Sequence, residues 1–421
     1  MNENIWDVIV VGGGPAGMMT AGRAAECGAK VVLLEKNDTL GRKLLITGGG
    51  RCNVTNAQPD VRRFLEKYAD NAKFLFSAFS QWDVEKTLNF FHLREMQTKV
   101  ENEGRVFPVS DSAQSVWDTL VEYLRMGGVT VLSNSSVTEI VKENSVLIGV
   151  KIKGGKTGGE ILVGRSIVIA TGGTSRPETG STGDGYTWLK KIGHTIVEPT
   201  PSLVPIVVKD KWISRVAGVS LKDVKITTFQ NEVKQDVGRG KILFTHVGLS
   251  GPAILNMSHD IGELLKYGEV VVSLDLLPDF DHGQLNSKLQ EIFKENANKK
   301  FKNSLGDLVP SALATVIVEL SGISGETPCN SITREERLKL IDLLKGLKLN
   351  VEKLLGLEKA IVTSGGVVLS EVDFKTMQSR LFPNLYLVGD ILNIDRPSGG
   401  YSLQLCWTTG FVAGSDSAKQ K

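Results

Sequence analysis

Ile5-Trp6-Asp7-Val8-Ile9-Val10-Val11-Gly12-Gly13-Gly14-Pro15-Ala16-Gly17 is the stretch on which the fold of this chain turns. Its first half is almost continuously apolar and rich in β-branched side chains, as in a strand covered on both faces. Glycines then take over. A helix-length segment from Pro15 to Cys27 leads to a second apolar run, Lys30 to Leu34, so the whole reads as a βαβ unit. In such a unit Gly12 permits the tight turn, Gly14 lets a pyrophosphate approach the backbone, and Gly17 allows strand and helix to pack closely. The free N–H groups in the first turn of the helix that opens at Pro15, with the positive end of its dipole, face the phosphates. Glu35 ends the second strand near the ~20-residue spacing at which a carboxylate accepts hydrogen bonds from a ribose diol.

Working outward, three later segments narrow the dinucleotide to FAD. Leu385-Tyr386-Leu387-Val388-Gly389-Asp390 resembles the second fingerprint of glutathione-reductase-type FAD domains, in which the Asp contacts the ribityl chain. Gly399-Gly400-Tyr401-Ser402-Leu403 opens a helix whose first N–H groups can stabilise negative charge at the flavin N1 and C2 carbonyl. Ile167 to Gly172 is similar to the Ala-Thr-Gly segment of the same proteins. Taken singly, each is a strand followed by a turn; their order and spacing make them one site.

The chain has 421 residues, which points to two or three domains. Its 49 Lys and Arg against 47 Asp and Glu leave a formal charge of +2, too little to argue for nucleic acid or membrane as a partner. Cys27, Cys52, Cys329 and Cys406 form neither a redox pair nor a metal cluster, in keeping with a reducing compartment. His92, His194, His259 and His282 are equally scattered, and no metal site is expected. The first apolar run lacks a basic lead and breaks after Val11, so neither a signal peptide nor a spanning helix is expected. A cytoplasmic protein with no membrane association and no stable protein partner is the resulting expectation. Helical spacing covers Trp82 to Phe91 and Gln114 to Arg125; Val129 to Leu132, Val137 to Val141, Val146 to Ile152 and Ser166 to Ala170 read as strands, with a glycine-rich turn from Lys153 to Gly159. The pattern changes near Thr195 to prolines and short strands such as Val224 to Phe229 and Val270 to Leu276. From about Gly283 to Leu354 it turns helical, and the dinucleotide pattern resumes near Ala360.

The run Gly41-Arg42-Lys43-Leu44-Leu45-Ile46-Thr47-Gly48-Gly49-Gly50-Arg51-Cys52-Asn53-Val54-Thr55-Asn56 is more distinctive. With Gly104-Arg105-Val106-Phe107-Pro108, Phe244 to Pro252 and Arg396 to Tyr401, it resembles the BaiN-type or YhiN-type bacterial NAD(P)/FAD-dependent oxidoreductases, also labelled aminoacetone-oxidase-like. The resemblance implies an α/β fold: a glutathione-reductase-type, Rossmann-like FAD-binding domain (1–195 with 355–421) interrupted by an inserted β-barrel-like domain (196–282) and a small helical subdomain (283–354). It also implies reduction of activated carbon–carbon double bonds, with bile-acid metabolism and dihydrouridine formation in ribosomal RNA as linked activities. Small-molecule and RNA substrates both stay open, as do an amine oxidase and a non-enzymatic flavin-binding protein.

The expected FAD-binding residues are Gly12, Gly14, Pro15, Ala16, Gly17, Glu35, Lys36, Arg42, Lys43, Arg51, Asn53, Thr55, Val137, Ala170, Thr171, Gly172, Gly389, Asp390, Gly400, Ser402 and Leu403. No second Gly-x-Gly-x-x-Gly follows a convincing strand, so NAD(P)H is expected as a transient donor over the flavin. A double-bond reductase needs a group that polarises the acceptor and a proton donor. Arg105, in a polar loop, and His246, in a glycine-rich turn, are the candidates; a surface arginine and a loop-fixing histidine are the plain alternatives. Tyr401 is expected as an aromatic wall at the ring. Cys52 has no cysteine partner and reads as a small polarizable wall or a redox thiol. Lys294 to Lys302 holds a basic cluster, a contact for RNA phosphates or a solvated helix end.

Overall fold

The computed structural model describes residues 5–144, 146–153, 159–356 and 358–420. Positions 154–158 of the glycine-rich turn lie outside them. The chain divides into two compact units, residues 1–201 with 360–421, and residues 202–359. Among the described residues no helix is long and apolar enough to cross a membrane.

The first unit is built on a parallel sheet. The strand Trp6–Val11 lies between Val31–Leu34 and Ile161–Ile169, with register Val8↔Val31 on one side and Val8↔Ser166 on the other. Thr130–Leu132 extends the sheet beyond Val31–Leu34, and Leu385–Leu387 pairs the far side of Ile161–Ile169. These strands read as apolar runs because helices cover both faces. The first residues of Ile161–Ile169 instead join an antiparallel meander with Val146–Lys153 and Ser136–Glu143. The helix Pro15–Glu26 packs against the C-terminal helix Tyr401–Ser417. Two glycines one helical turn apart make this contact close: a Cβ at Gly410 would sit 2.7 Å from the Ala16 carbonyl oxygen, and one at Gly414 2.6 Å from that of Thr20. Helix backbones meet here, so no larger residue fits.

The second unit is a closed six-stranded antiparallel barrel of Ile206–Val208, Gly248–Ser250, Val233–Phe244, Ser220–Gln230, Val270–Asp275 and Leu347–Leu354. Its last strand falls in the stretch read as helical. Leu347, Leu349 and Val351 point inward at period two, and the strand closes the barrel by pairing Leu274↔Leu347 and Ile206↔Leu354. The helices His282–Glu295, Ser311–Leu320 and Arg334–Lys345 share one apolar core with the barrel.

Candidate flavin site

Each parallel strand delivers part of the site as it ends. Val11 runs into Gly12, Leu34 into Glu35, Ile169 into Ala170-Thr171-Gly172, and Leu387 into Val388-Gly389-Asp390. These ends line a cavity of about 1190 Å³, its open mouth included. It lies where the strand order reverses beside Trp6–Val11, the position at which doubly wound sheets bind ligands.

The three motif glycines answer to three different surroundings. Gly12 has φ +107°, and a Cβ there would lie 2.5 Å from the Ala170 carbonyl oxygen; one at Gly17 would lie 1.9 Å from the Gly12 oxygen. Both are demanded by the fold. At Gly14 a Cβ would meet nothing within 4 Å, and the residue lines the cavity, so packing makes no demand for glycine there. Gly14 also caps the helix Pro15–Glu26 without any side-chain cap, leaving its first-turn N–H groups to the cavity.

Glu35 is buried, and its carboxylate shapes the loop it faces. Gly13 N–H donates to Oε2 at 2.8 Å, while the backbone and side-chain N–H groups of Asn37 each donate to Oε1 at 2.8 Å. A carboxylate offers about four acceptor positions, so capacity is left for a ribose hydroxyl. Asp390 is held by Arg396, whose fully buried guanidinium also donates to the Ile394 carbonyl at 2.6 Å and to Ser402 Oγ at 3.1 Å. Thr171 lines the cavity, and its Oγ1, packed toward Gly185, is buried with no hydrogen-bond partner among the described residues. Such an orphan costs about 1–3 kcal/mol. A dinucleotide with hydroxyl-bearing chains fits these donors and acceptors.

Of the expected binding residues, Gly12, Gly14, Pro15, Ala16, Glu35, Lys36, Arg42, Lys43, Val137, Ala170, Thr171, Gly172, Asp390, Ser402 and Leu403 line this cavity. Gly17, Gly389 and Gly400 stand behind it; Gly400 has φ +103°, and a Cβ there would come 2.3 Å from the Thr55 carbonyl. Three more, Arg51, Asn53 and Thr55, are placed elsewhere. Arg51 pairs with Glu101 and Asp111 and stacks over Phe107. Asn53 Oδ1 accepts from Val106 N–H at 3.1 Å, and Thr55 Oγ1 donates to Gln404 Oε1 at 2.7 Å. All three brace the small sheet of Thr55–Asn56, Arg105–Pro108 and Thr98–Val100, whose short strands lack a readable period.

The three catalytic candidates are not among the residues lining the cavity either. Arg105 begins a strand rather than occupying a loop, and its Nε donates to the Asn102 carbonyl at 3.1 Å. Tyr401 packs its ring on Phe64, with centroids 4.8 Å apart, and on Tyr68. His246 is exposed in the turn between Val233–Phe244 and Gly248–Ser250 of the second unit. Cys52 is buried, and burial pushes its thiol up to about 12, so it is neutral at pH 7. In the Lys294–Lys302 stretch, Lys300 and Lys302 pair with Glu326 at 2.6 and 2.5 Å, which weakens the local positive field.

Sequence reasoning gave no site role to Arg396, which holds Asp390, or to Cys406 and the segment Thr179 to Thr182, which wall the cavity. Arg396 had a signal: an arginine shortly after the Gly-Asp of a dinucleotide fingerprint, in a segment too rich in Pro and Gly to be helical. Cys406 sits on a helix buried nearly all round, where periodicity carries no information.

This Rossmann-type fold, with a cavity assembled from both ends of the chain, defines a flavin-dependent oxidoreductase. The chain belongs to the HI0933-like protein Rossmann domain family, which it matches over residues 6–416. Among curated relatives it is 31% identical over 414 residues to the ribosomal RNA dihydrouridine synthase of Escherichia coli (strain K12), covering 98% of each chain. It is 29% identical over 414 residues to the 3-dehydro-bile acid delta(4,6)-reductase of Clostridium scindens, again with 98% of each chain covered. In fold it resembles the open conformation of a flavocytochrome c3 fumarate reductase, with TM-score 0.58 and 17% identity over 99% of this chain and 79% of that one. A 3-ketosteroid delta1-dehydrogenase from Sterolibacterium denitrificans gives TM-score 0.56 and 14% identity, covering 99% and 100%.

Proposed function

We propose that the protein reduces an activated carbon–carbon double bond, with FAD in the cavity between Gly12 and Asp390 and a dihydronicotinamide nucleotide as the passing hydride donor. The observation that carries this reading is the cavity itself, whose open Gly14 face and flanking Glu35 and Asp390 suit a dinucleotide. FAD, when bound, supplies the hydride chemistry. Gly14 and the first-turn N–H groups bind its pyrophosphate, and Glu35 accepts from the ribose. Asp390, fixed by Arg396, holds the ribityl hydroxyls. Ser402 and Leu403, in the first turn of the C-terminal helix, turn N–H groups toward the ring edge. Cys406 closes the cavity as a neutral wall, its thiol pushed up to about 12 by burial. Double-bond reduction is supported by the two full-length relatives, whose names both denote it.

The test is anaerobic. Protein purified gently should be yellow, absorb near about 450 nm and bleach with NADH or NADPH; a conjugated enone should restore the colour. Colourless protein that takes up no added FAD would end this reading. A uridine of ribosomal RNA is the second substrate class, favoured by the relative at 31% identity. Nucleoside mass spectrometry of ribosomal RNA with and without the gene separates the two: loss of a dihydrouridine selects RNA, and an unchanged profile removes it.

A further inference from the structure

Among the described residues, Lys43 is the cavity-lining cation that makes no ion pair with a carboxylate. Lys36 is paired with Asp184 at 2.8 Å and Arg42 with Asp38 at 2.7 Å. Asp390 is committed to Arg396, and Glu35 to the N–H groups of Gly13 and Asn37. Lys43 is half-buried in the short helix Arg42–Ile46, which Gly41 anchors by donating its N–H to the Gly13 carbonyl at 2.9 Å. The lysine Nζ donates to Ser175 Oγ at 3.1 Å and makes no ion pair among the described residues. Ser175 is itself fixed, its N–H donating to Thr363 Oγ1 at 3.0 Å. An ammonium carries three donors, so two are left for the cavity. The charge acting on it most strongly is that of Asp390, opposed by the Arg396 cation, and Ser402 and Leu403 in the first turn of the C-terminal helix line the same cavity. Removal from water pulls the lysine below its ordinary pKa, against the pull of Asp390. A half-buried cation with one hydroxyl partner gains by standing beside an anion.

We propose that the Lys43 ammonium sets the reduction potential of the flavin by standing beside the negative charge that the ring acquires on reduction. This rests on FAD occupying the cavity, as in the function proposed above. A hydride from a dihydronicotinamide brings two electrons and one proton to the ring, and the donor leaves as the oxidised nicotinamide. The ring is then one proton short of neutral and holds one negative charge, spread over N1 and the C2 carbonyl. The C-terminal helix offers that charge roughly half a unit of opposite sign; Lys43 offers a whole one. By linkage, an ammonium that binds the reduced ring more tightly than the oxidised one raises the potential by the same free energy.

The experiment measures the FAD midpoint potential and the dissociation constants of both redox states in wild-type, K43R and K43Q holoproteins, with excess FAD so that a weakened variant stays loaded. K43Q should lower the equilibrium constant for reduction at least about tenfold, ~30 mV for a two-electron couple, with most of the lost affinity in the reduced state. K43R should stay close to wild type. A K43Q protein at the wild-type potential overturns the proposal, including the case in which both redox states weaken equally, because Lys43 then serves the phosphates. A K43Q protein folded by circular dichroism that takes up no oxidised FAD overturns it too, since tuning requires that state to bind. Wild-type protein that binds no FAD overturns the cofactor reading itself, which is a different result from bound flavin at an unaltered potential.

Discussion

At the scale of single residues the site separates what the fold needs from what a ligand needs. Gly14 and Gly17 belong to one motif, yet a Cβ meets empty space at the first and the Gly12 oxygen 1.9 Å away at the second. G14A should therefore leave the apoprotein melting temperature within a few degrees of wild type while weakening FAD at least about tenfold. G17A should lower both. Equal loss of apoprotein stability in the two variants would refute the distinction. Arg396 is the complementary case, since its buried guanidinium compensates the Asp390 carboxylate, which is itself largely buried. R396M strands that carboxylate and should cost about 3–5 kcal/mol in urea unfolding, whereas R396M/D390N should recover part of the loss. A double variant less stable than R396M would contradict this account. The glycines were legible because backbone geometry is a local property. Arg396 was less so, because its burial is supplied by residues from several segments.

Elements show the same division. The βαβ unit was legible because apolar runs bounded by glycine admit few readings, while Leu347–Leu354 was missed because its alternation follows directly on the helix Arg334–Lys345. The end of the helix Asp184–Ile192 holds a device that the scattered histidines did not announce. His194 follows Gly193, its side chain fully buried, with Nδ1 2.7 Å from Glu371 Oε2 and Nε2 3.0 Å from Ser379 Oγ. This geometry suits the neutral imidazole, Nδ1–H donating to Glu371 and Ser379 donating to Nε2. Burial lowers the His194 pKa below 6.5, although Glu371 pulls the other way. The unfolded chain therefore binds a proton more readily than the folded one. The contribution to stability is present above about pH 6.5 and is lost as the pH falls through the lowered folded value. Glu371 is held below the usual carboxylate range, because hydrogen bonds from Thr195 and His194 outweigh burial, which pushes it up. Its share is present above the ordinary carboxylate pKa and lost at lower pH. In urea unfolding at pH 8, 6.5 and 5.5, wild type should lose stability more steeply than H194Q; parallel slopes would remove His194 from the acid response.

At the scale of the molecule, two apolar cores stand in two units, and the cavity-lining residues all belong to the first. FAD should therefore stabilise residues 1–201 with 360–421 directly, by about 2.7 kcal/mol when present at a hundredfold excess over its dissociation constant. Of the six tryptophans, Trp212 lies in the second unit and Trp6, Trp82, Trp117, Trp188 and Trp407 in the first. A protein retaining Trp212 alone should report a transition that FAD does not move, while calorimetry shows another that it does. A single transition rising as one with FAD would show that the units unfold together.

The sequence by itself determined the dinucleotide-binding type of fold and the glycine turn at its centre, because a turn, a helix start and a strand end are written in contiguous residues. The tertiary structure decided which side chains line the cavity. It set Arg51, Asn53, Thr55 and Tyr401 to bracing and left Lys43, under the pull of Asp390, without an ion pair among the described residues. It also closed the barrel with a strand read as helix. Burial and charge pairing arise between residues far apart in the chain, and no local pattern records them.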